Sequence, residues 1–294
     1  MHAVIAAPST LGLQTDGVAG LPDALLAAGL GSLLGARIAG RVEPPPRAAG
    51  VDPVTGVRNA AGVAAYARRL AVAVGEVLDR GEFPVVLGGD CSILLGSLLA
   101  LRRRGRHGLL FLDGHADFYQ PDTDPESEAA SMELAFATGR GPALLSGLHD
   151  EGPLVHDEDV AAFGMRDAAE QAAAGCAPPP AGLRSWDLDQ ARHTGVARAA
   201  AEAVRHVARP DLDGFWVHVD ADVVDDALMP AVDYRLAGGL SWEELGTVLA
   251  TAMGSGRAVG FEVTIYNPEL DPDGTAGRAL AATIGHALGA TTAM

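Results

Sequence analysis

Six short, almost uniformly apolar runs constrain this chain most: His2–Ala7, Pro84–Leu87, Gly108–Leu112, Val160–Met165, Phe215–Val219 and Ala258–Val263. A strand that is apolar on both faces must be covered on both, as in a parallel sheet sandwiched by helices. Longer Ala- and Leu-rich stretches lie between the runs. Gly56–Arg80 and Ser92–Arg103 read as helices, the second after a Gly-Gly turn. Val196–Val207 and Trp242–Met253 carry apolar residues at spacings of three and four. Ser241 and Glu244 match a capping box at the start of the last helix. This alternation predicts an α/β fold with helices on both faces of a parallel sheet. The proline clusters Pro44–Pro46 and Pro178–Pro180 read as surface loops within one rhythm, so residues 1–294 are expected to form one domain.

Composition removes several function classes. All 21 basic residues are Arg and none is Lys. Schiff-base and pyridoxal-phosphate enzymes, Walker P-loops and Ser-x-x-Lys acylases each need a lysine amine and are excluded. A net charge of −17 argues against a nucleic-acid partner, because that affinity comes mostly from neutralised phosphates. Two Cys, Cys91 and Cys176, make no disulfide framework and suit a reducing compartment. The first residues lack the basic and apolar regions of a signal peptide, and no apolar run reaches the roughly 18–20 residues of a membrane span. A cytoplasmic protein without a membrane partner is therefore expected. Arg102–Arg104 with Arg106 read as a solvated helix end, where cations favour the dipole.

The chemistry sits at the carboxyl ends of the expected strands, where open α/β sheets bind ligands. Pro84–Leu87 runs into Gly88-Gly89-Asp90-Cys91-Ser92, and Gly108–Leu112 into Asp113-Gly114-His115-Ala116-Asp117. Phe215–Val219 runs into Asp220-Ala221-Asp222. A single Asp after a strand is usually a turn former or helix cap. Asp-x-His-x-Asp and Asp-x-Asp together, each directly after an apolar strand, point instead to a cation, since buried carboxylates are costly unless paired or metal-bound. Mixed Asp and His donors suit Mn, Fe, Co or Zn over Ca. Carboxylates on two neighbouring strands fit a bridged two-metal site, which activates water near neutral pH. His218 shares a strand face with Asp220 and Asp222, so it either supports the site or packs beneath it. His206 and His286 fall within helical patterns and read as structural.

These motifs resemble those of the arginase/agmatinase family of ureohydrolases over nearly the whole chain. Gly17-Val18-Ala19-Gly20-Leu21-Pro22 resembles an early family segment, and Gly88-Gly89-Asp90, Asp113–Asp117 and Asp220–Asp222 resemble its metal motifs. Gly238–Ser241 resembles its Gly-Gly-Leu-Thr turn, and Glu262-Val263 with Asn267-Pro268 its late Glu-Val-Asn-Pro motif with residues inserted. The resemblance implies a three-layer α/β/α fold with a mostly parallel eight-stranded sheet, often assembled as a homo-oligomeric trimer or hexamer. It implies two Mn2+ ions bridged by Asp113 and Asp220. Asp117 would complete the first ion's set and hydrogen-bond the bridging hydroxide, while His115 and Asp222 would bind the second ion. Glu262 would accept hydrogen bonds from a small guanidino substrate. Attack on the guanidinium carbon would expel the amine and leave urea or an analogue.

Three departures qualify that expectation. Cys91 stands where the family has a His ligand; as a thiolate it would bind the first metal and favour Zn2+ or Fe2+ over Mn2+, and otherwise it is a small unligated residue. The family's proton-shuttling His is missing from Ala129–Ala135, where Glu133 replaces a Pro. General acids are typically worth 10²–10⁴ in rate, so this loss favours a substrate with a better leaving group. Met229–Arg235 replaces a Gly/Thr-rich loop, and Asp233, Tyr234 or Arg235 either reads the far end of the substrate or sits in solvent. Two rivals remain at this stage, a deacetylase-like amide hydrolase and a catalytically silent binding or assembly protein.

Overall fold

The computed structural model describes residues 1–289, so the last five positions of the expected domain lie outside the described residues. Eight parallel strands form one sheet in the order β2-β1-β3-β8-β7-β4-β5-β6. They are β1 (His2–Ala6), β2 (Arg37–Arg41), β3 (Phe83–Leu87), β4 (Gly108–Leu112), β5 (Val160–Phe163), β6 (Arg184–Trp186), β7 (Phe215–Asp220) and β8 (Ala258–Thr264). All six expected strands are present. The two added ones, β2 and β6, are the sheet edges; three of the five β2 residues and two of the three β6 residues are exposed, so neither carries an apolar run.

Alternation along the strands divides the core in two. Leu109 and Phe111 of β4, with Trp216 of β7, pack on one face against α1 (Ala60–Asp79), α2 (Leu94–Arg102) and α3 (Glu133–Ala137). Leu110 and Leu112, with Val217 and Val219, pack on the other against α4 (Val196–Val207), α5 (Trp242–Gly254) and α6 (Thr275–Gly289). The outcome is the three-layer α/β/α arrangement. Helix α1 starts at Ala60, four residues later than the periodicity suggests, after the N-cap Asn59, whose φ of 52° lies in the left-handed region. Helix α5 opens on a complete capping box, with Ser241 Oγ accepting from Glu244 N and Glu244 accepting from Ser241 N.

Close approach fixes one glycine. A Cβ on Gly260 of β8 would lie 1.9 Å from the indole of Trp216 on neighbouring β7, so the bulky residue fits only beside a bare backbone. Among the described residues, no helix is long and apolar enough to cross a membrane.

Candidate metal centre

The four central strands, β3, β8, β7 and β4, bring the sequence motifs to one end of the sheet. After β3, Asp90 caps a short turn by accepting from Ser92 N at 2.9 Å, which exposes Cys91 to the centre and keeps Asp90 structural. After β7, Asp220 caps the next turn by accepting from Asp222 N at 2.8 Å. Asp222 then joins two loops: one oxygen accepts from Gly114 N at 3.0 Å, and the other lies 2.8 Å from His115 Nδ1. Cys91 Sγ donates to Asp220 Oδ2 at 2.6 Å. Asp117 has a φ of 45°, an uncommon conformation for a residue with a side chain and one that clusters at functional sites.

Two groups of donor atoms converge. One atom each of Cys91, Asp113, Glu133 and His218 lie within 4.8 Å of one another, as do atoms of Asp113, His115 and Asp222. Asp113 belongs to both. Asp117 and Asp220, expected as ligands, line the same cavity but are in neither group. Glu133 and His218 are the additions. Glu133 opens α3 and is fully buried, with both oxygens lacking a donor. His218 is fully buried and stacks on Phe111, with ring centroids 4.9 Å apart.

Glu262 departs from its expected place. Register pairs it with His218 across β7 and β8. Its Oε1 lies 2.8 Å from His218 Nδ1, and its Oε2 accepts from Ser97 Oγ at 2.6 Å. Fully buried and occupied on both oxygens, it is not part of the cavity lining, where Ile265 stands instead, in a left-handed conformation with φ 68°. Asp233 and Arg235 also turn away: Asp233 accepts from Asn267 Nδ2 at 3.1 Å, and Arg235 pairs with Asp226 at 3.2 Å. The residue between them, Tyr234, reaches the cavity and donates to Glu128 Oε2 at 2.9 Å.

The electrostatics are those of crowded carboxylates. Burial, reinforced by neighbouring acids, pushes Asp113, Asp117 and Asp220 well above the usual carboxylate range. Burial does the same to Glu133, which faces Asp117, and to the Cys91 thiol, beside Asp220. His115 goes the other way: burial lowers it, but Asp222 outweighs that and raises it to about 9. Asp222, opposed by burial, is held below the usual range by His115. A cluster in which most acids resist ionisation, and in which Asp113 Oδ2, His218 Nε2 and both Glu133 oxygens lack partners, has the donor set and the unmet demand that divalent cations satisfy. The residues present therefore fit a metal centre.

The cavity above it measures about 190 Å3. Asp124, Glu126, Glu128 and Glu170 contribute to its lining, and no Arg does. Burial raises Glu128 to about 7, although the bonds from Tyr234 and Gln14 N oppose the rise. Ala130 and Ser131, from the segment that lacks the family's His, also line it.

Comparison with known proteins identifies the family and the fold. The model of the arginase family matches residues 2–289. The arginase of Bacillus caldovelox is 28% identical over 216 residues, covering 73% of this chain and 71% of its own. The native structure of that arginase superposes with a TM-score of 0.87 at 25% identity, over 98% of this chain and 97% of the other. The agmatine ureohydrolase of Thermoplasma volcanium shares the fold, with a TM-score of 0.73 at 18% identity over 99% and 89% of the two chains. The chain, with its parallel eight-stranded sheet and its acid-lined cluster at the strand ends, belongs to the arginase family.

Proposed function

We propose that this protein is a metal-dependent hydrolase that cleaves a C–N bond of a cationic guanidino or amidino compound, releasing urea or an analogue. The carrying observation is the pair of donor groups sharing Asp113, of whose members Cys91, His115 and Asp222 line an acid-rich cavity. Asp113, His115 and Asp222 would hold a hard ion such as Mn2+, and the Cys91 side of the cluster a second ion. Bound there, two divalent ions would supply Lewis acidity and a water activated near neutral pH. Asp117, in the cavity but outside both donor groups, would accept a hydrogen bond from the attacking water and orient it. Asp220, whose Oδ2 accepts from Cys91 Sγ, lines the cavity together with Tyr119 and Tyr234.

The walls select the substrate's tail. A guanidinium is attracted to Asp124, Glu126, Glu128 and Glu170, whereas a terminal carboxylate would face four acids without an Arg to receive it. A substrate with a neutral or cationic tail is favoured over an α-amino acid. The small side chain of Ala130 leaves no proton donor where the family carries one, so a readily expelled amine is also favoured. The test is urea release by metal-loaded protein from agmatine, arginine, hydroxyarginine, guanidinobutyrate and formiminoglutamate. We expect agmatine to exceed arginine at least about tenfold in kcat/KM, a difference of about 1.4 kcal/mol. Absence of urea from all five with metal bound would overturn the reading, and amide hydrolysis in its place would establish the deacetylase-like alternative.

A further inference from the structure

The donor set around the inner position differs from the one its motifs imply, and its geometry is specific. Four ligands around one tetrahedral ion, each at about 2.0–2.3 Å, stand about 3.3–3.8 Å apart. The atoms of Cys91, Asp113, Glu133 and His218 lie within 4.8 Å of one another, so a small inward movement places all four on one ion. Asp113 Oδ2 and His218 Nε2 are buried with no partner, and the Glu133 oxygens receive no well-aligned donor and face only the Asp117 carboxyl. Their burial is complete.

His218 is also oriented in the manner of a ligand. A metal-binding His almost always gives its other ring N–H to a carboxylate or carbonyl, which fixes the tautomer and aims the free nitrogen. Here Glu262 Oε1 receives His218 Nδ1 at 2.8 Å, and Ser97 Oγ holds the second Glu262 oxygen at 2.6 Å. Phe111 stacks within 7° of parallel to the ring and prevents it from turning. With Nδ1 taken by Glu262, Nε2 is the nitrogen that His218 has left to offer the group of Cys91, Asp113 and Glu133.

We propose that Cys91 Sγ, Asp113, Glu133 and His218 Nε2 bind one divalent ion of the zinc, iron or cobalt class, with Glu262 and Ser97 as positioning residues for His218. One soft thiolate and one imidazole among two carboxylates shift preference away from Mn2+. The Cys91 thiol proton leaves to solvent as the ion enters. Glu133 thus acts as an anchor for the ion. The proposal rests on the metal-centre part of the functional reading, not on its substrate.

The test uses metal-free full-length protein titrated with Co2+ alone and with Zn2+ alone, read by metal content and by cobalt absorption. Wild type is expected to bind two equivalents, one of them with a thiolate-to-cobalt charge-transfer band that Cys91→Ser abolishes. His218→Asn and Glu133→Gln are each expected to weaken that equivalent at least about 100-fold and leave the other unchanged, and Glu262→Gln to weaken it about 10–100-fold. Circular dichroism of the metal-free variants reports folding. Should His218→Asn misfold, Glu133→Gln and X-ray absorption of wild type with one zinc equivalent decide, with one sulfur at about 2.3 Å expected. Wild-type affinity in both His218→Asn and Glu133→Gln, no charge-transfer band, or no binding by wild type would overturn the proposal. Two bound ions without urea would defeat the proposed reaction alone; urea release with unaltered binding in both variants would defeat this site alone.

Discussion

Removing and restoring the divalent ions is the perturbation with the largest calculable effect. A ligand that binds only the folded chain at 100 times its Kd adds about 2.7 kcal/mol. Unfolding entropy of about 2.1 cal/mol/K per residue, over 294 residues, gives about 0.6 kcal/mol/K. One saturated ion should therefore raise Tm by about 4 °C and two by about 9 °C. The pH dependence has a definite sign. Asp113, Asp117, Asp220 and Glu133 resist ionisation when folded, so metal-free stability falls as pH rises above their ordinary values of 3.8 and 4.5. His115 acts in the same direction: its stabilisation is fully present below 6.5 and is lost as pH passes through about 9. Asp222, held low, opposes them with stability present above 3.8, but it is a single group. Thermal melts of chelated protein across pH 5 to 9, with and without Mn2+ and Zn2+, should show a falling metal-free Tm and a flatter loaded one. A metal-free Tm that rises over that range, or one that neither ion shifts at pH 8, would refute the electrostatic reading of the cluster.

Glu128, held at about 7, should make KM for a cationic substrate fall as pH rises from 6 to 8. Glu128→Gln should flatten that limb and raise KM about tenfold, or about 1.4 kcal/mol, and an unchanged pH profile would remove Glu128 from substrate binding. Gly260→Ala drives a methyl into Trp216 and should cost about 1–3 kcal/mol, seen as a Tm lower by about 2–5 °C. Ser241→Ala removes the cap of α5 at a cost of about 1 kcal/mol, or about 2 °C, and Ser241→Asp should restore it; equal Tm in all three proteins would show that the cap contributes nothing.

Much of this arrangement is legible in the amino-acid order because doubly covered strands must be apolar and their ends must carry the polar work. The six inner and near-inner strands follow from that rule, as do Cys91, Asp113, His115 and Asp222. The rule fails at Arg37–Arg41 and Arg184–Trp186, because an edge strand is partly solvated and needs no apolar run. Glu133 is legible as a replacement for the family's Pro but not as a donor, for another reason. It lies 16 positions beyond Asp117 on a loop that returns to the centre, and no local period encodes such a return. Glu262 shows that a motif can align while its geometry differs. Two-residue alternation puts it on the face of β8 beside His218, a relation that pairing β7 with β8 would have revealed.

The position of β8 has a consequence for how the protein matures. It enters the sheet between β3 and β7, with β2, β1 and β3 on one side and β7, β4, β5 and β6 on the other. Until residues 258–264 have been synthesised and inserted, the chain holds two separate half-sheets, and Cys91 belongs to one while Asp113, His218 and Asp222 belong to the other. The donor group that contains Cys91 is thus completed only when β8 joins the two halves, whereas Asp113, His115 and Asp222 come together within one half, so the two proposed ion positions would mature in a fixed order, the Cys91 position last.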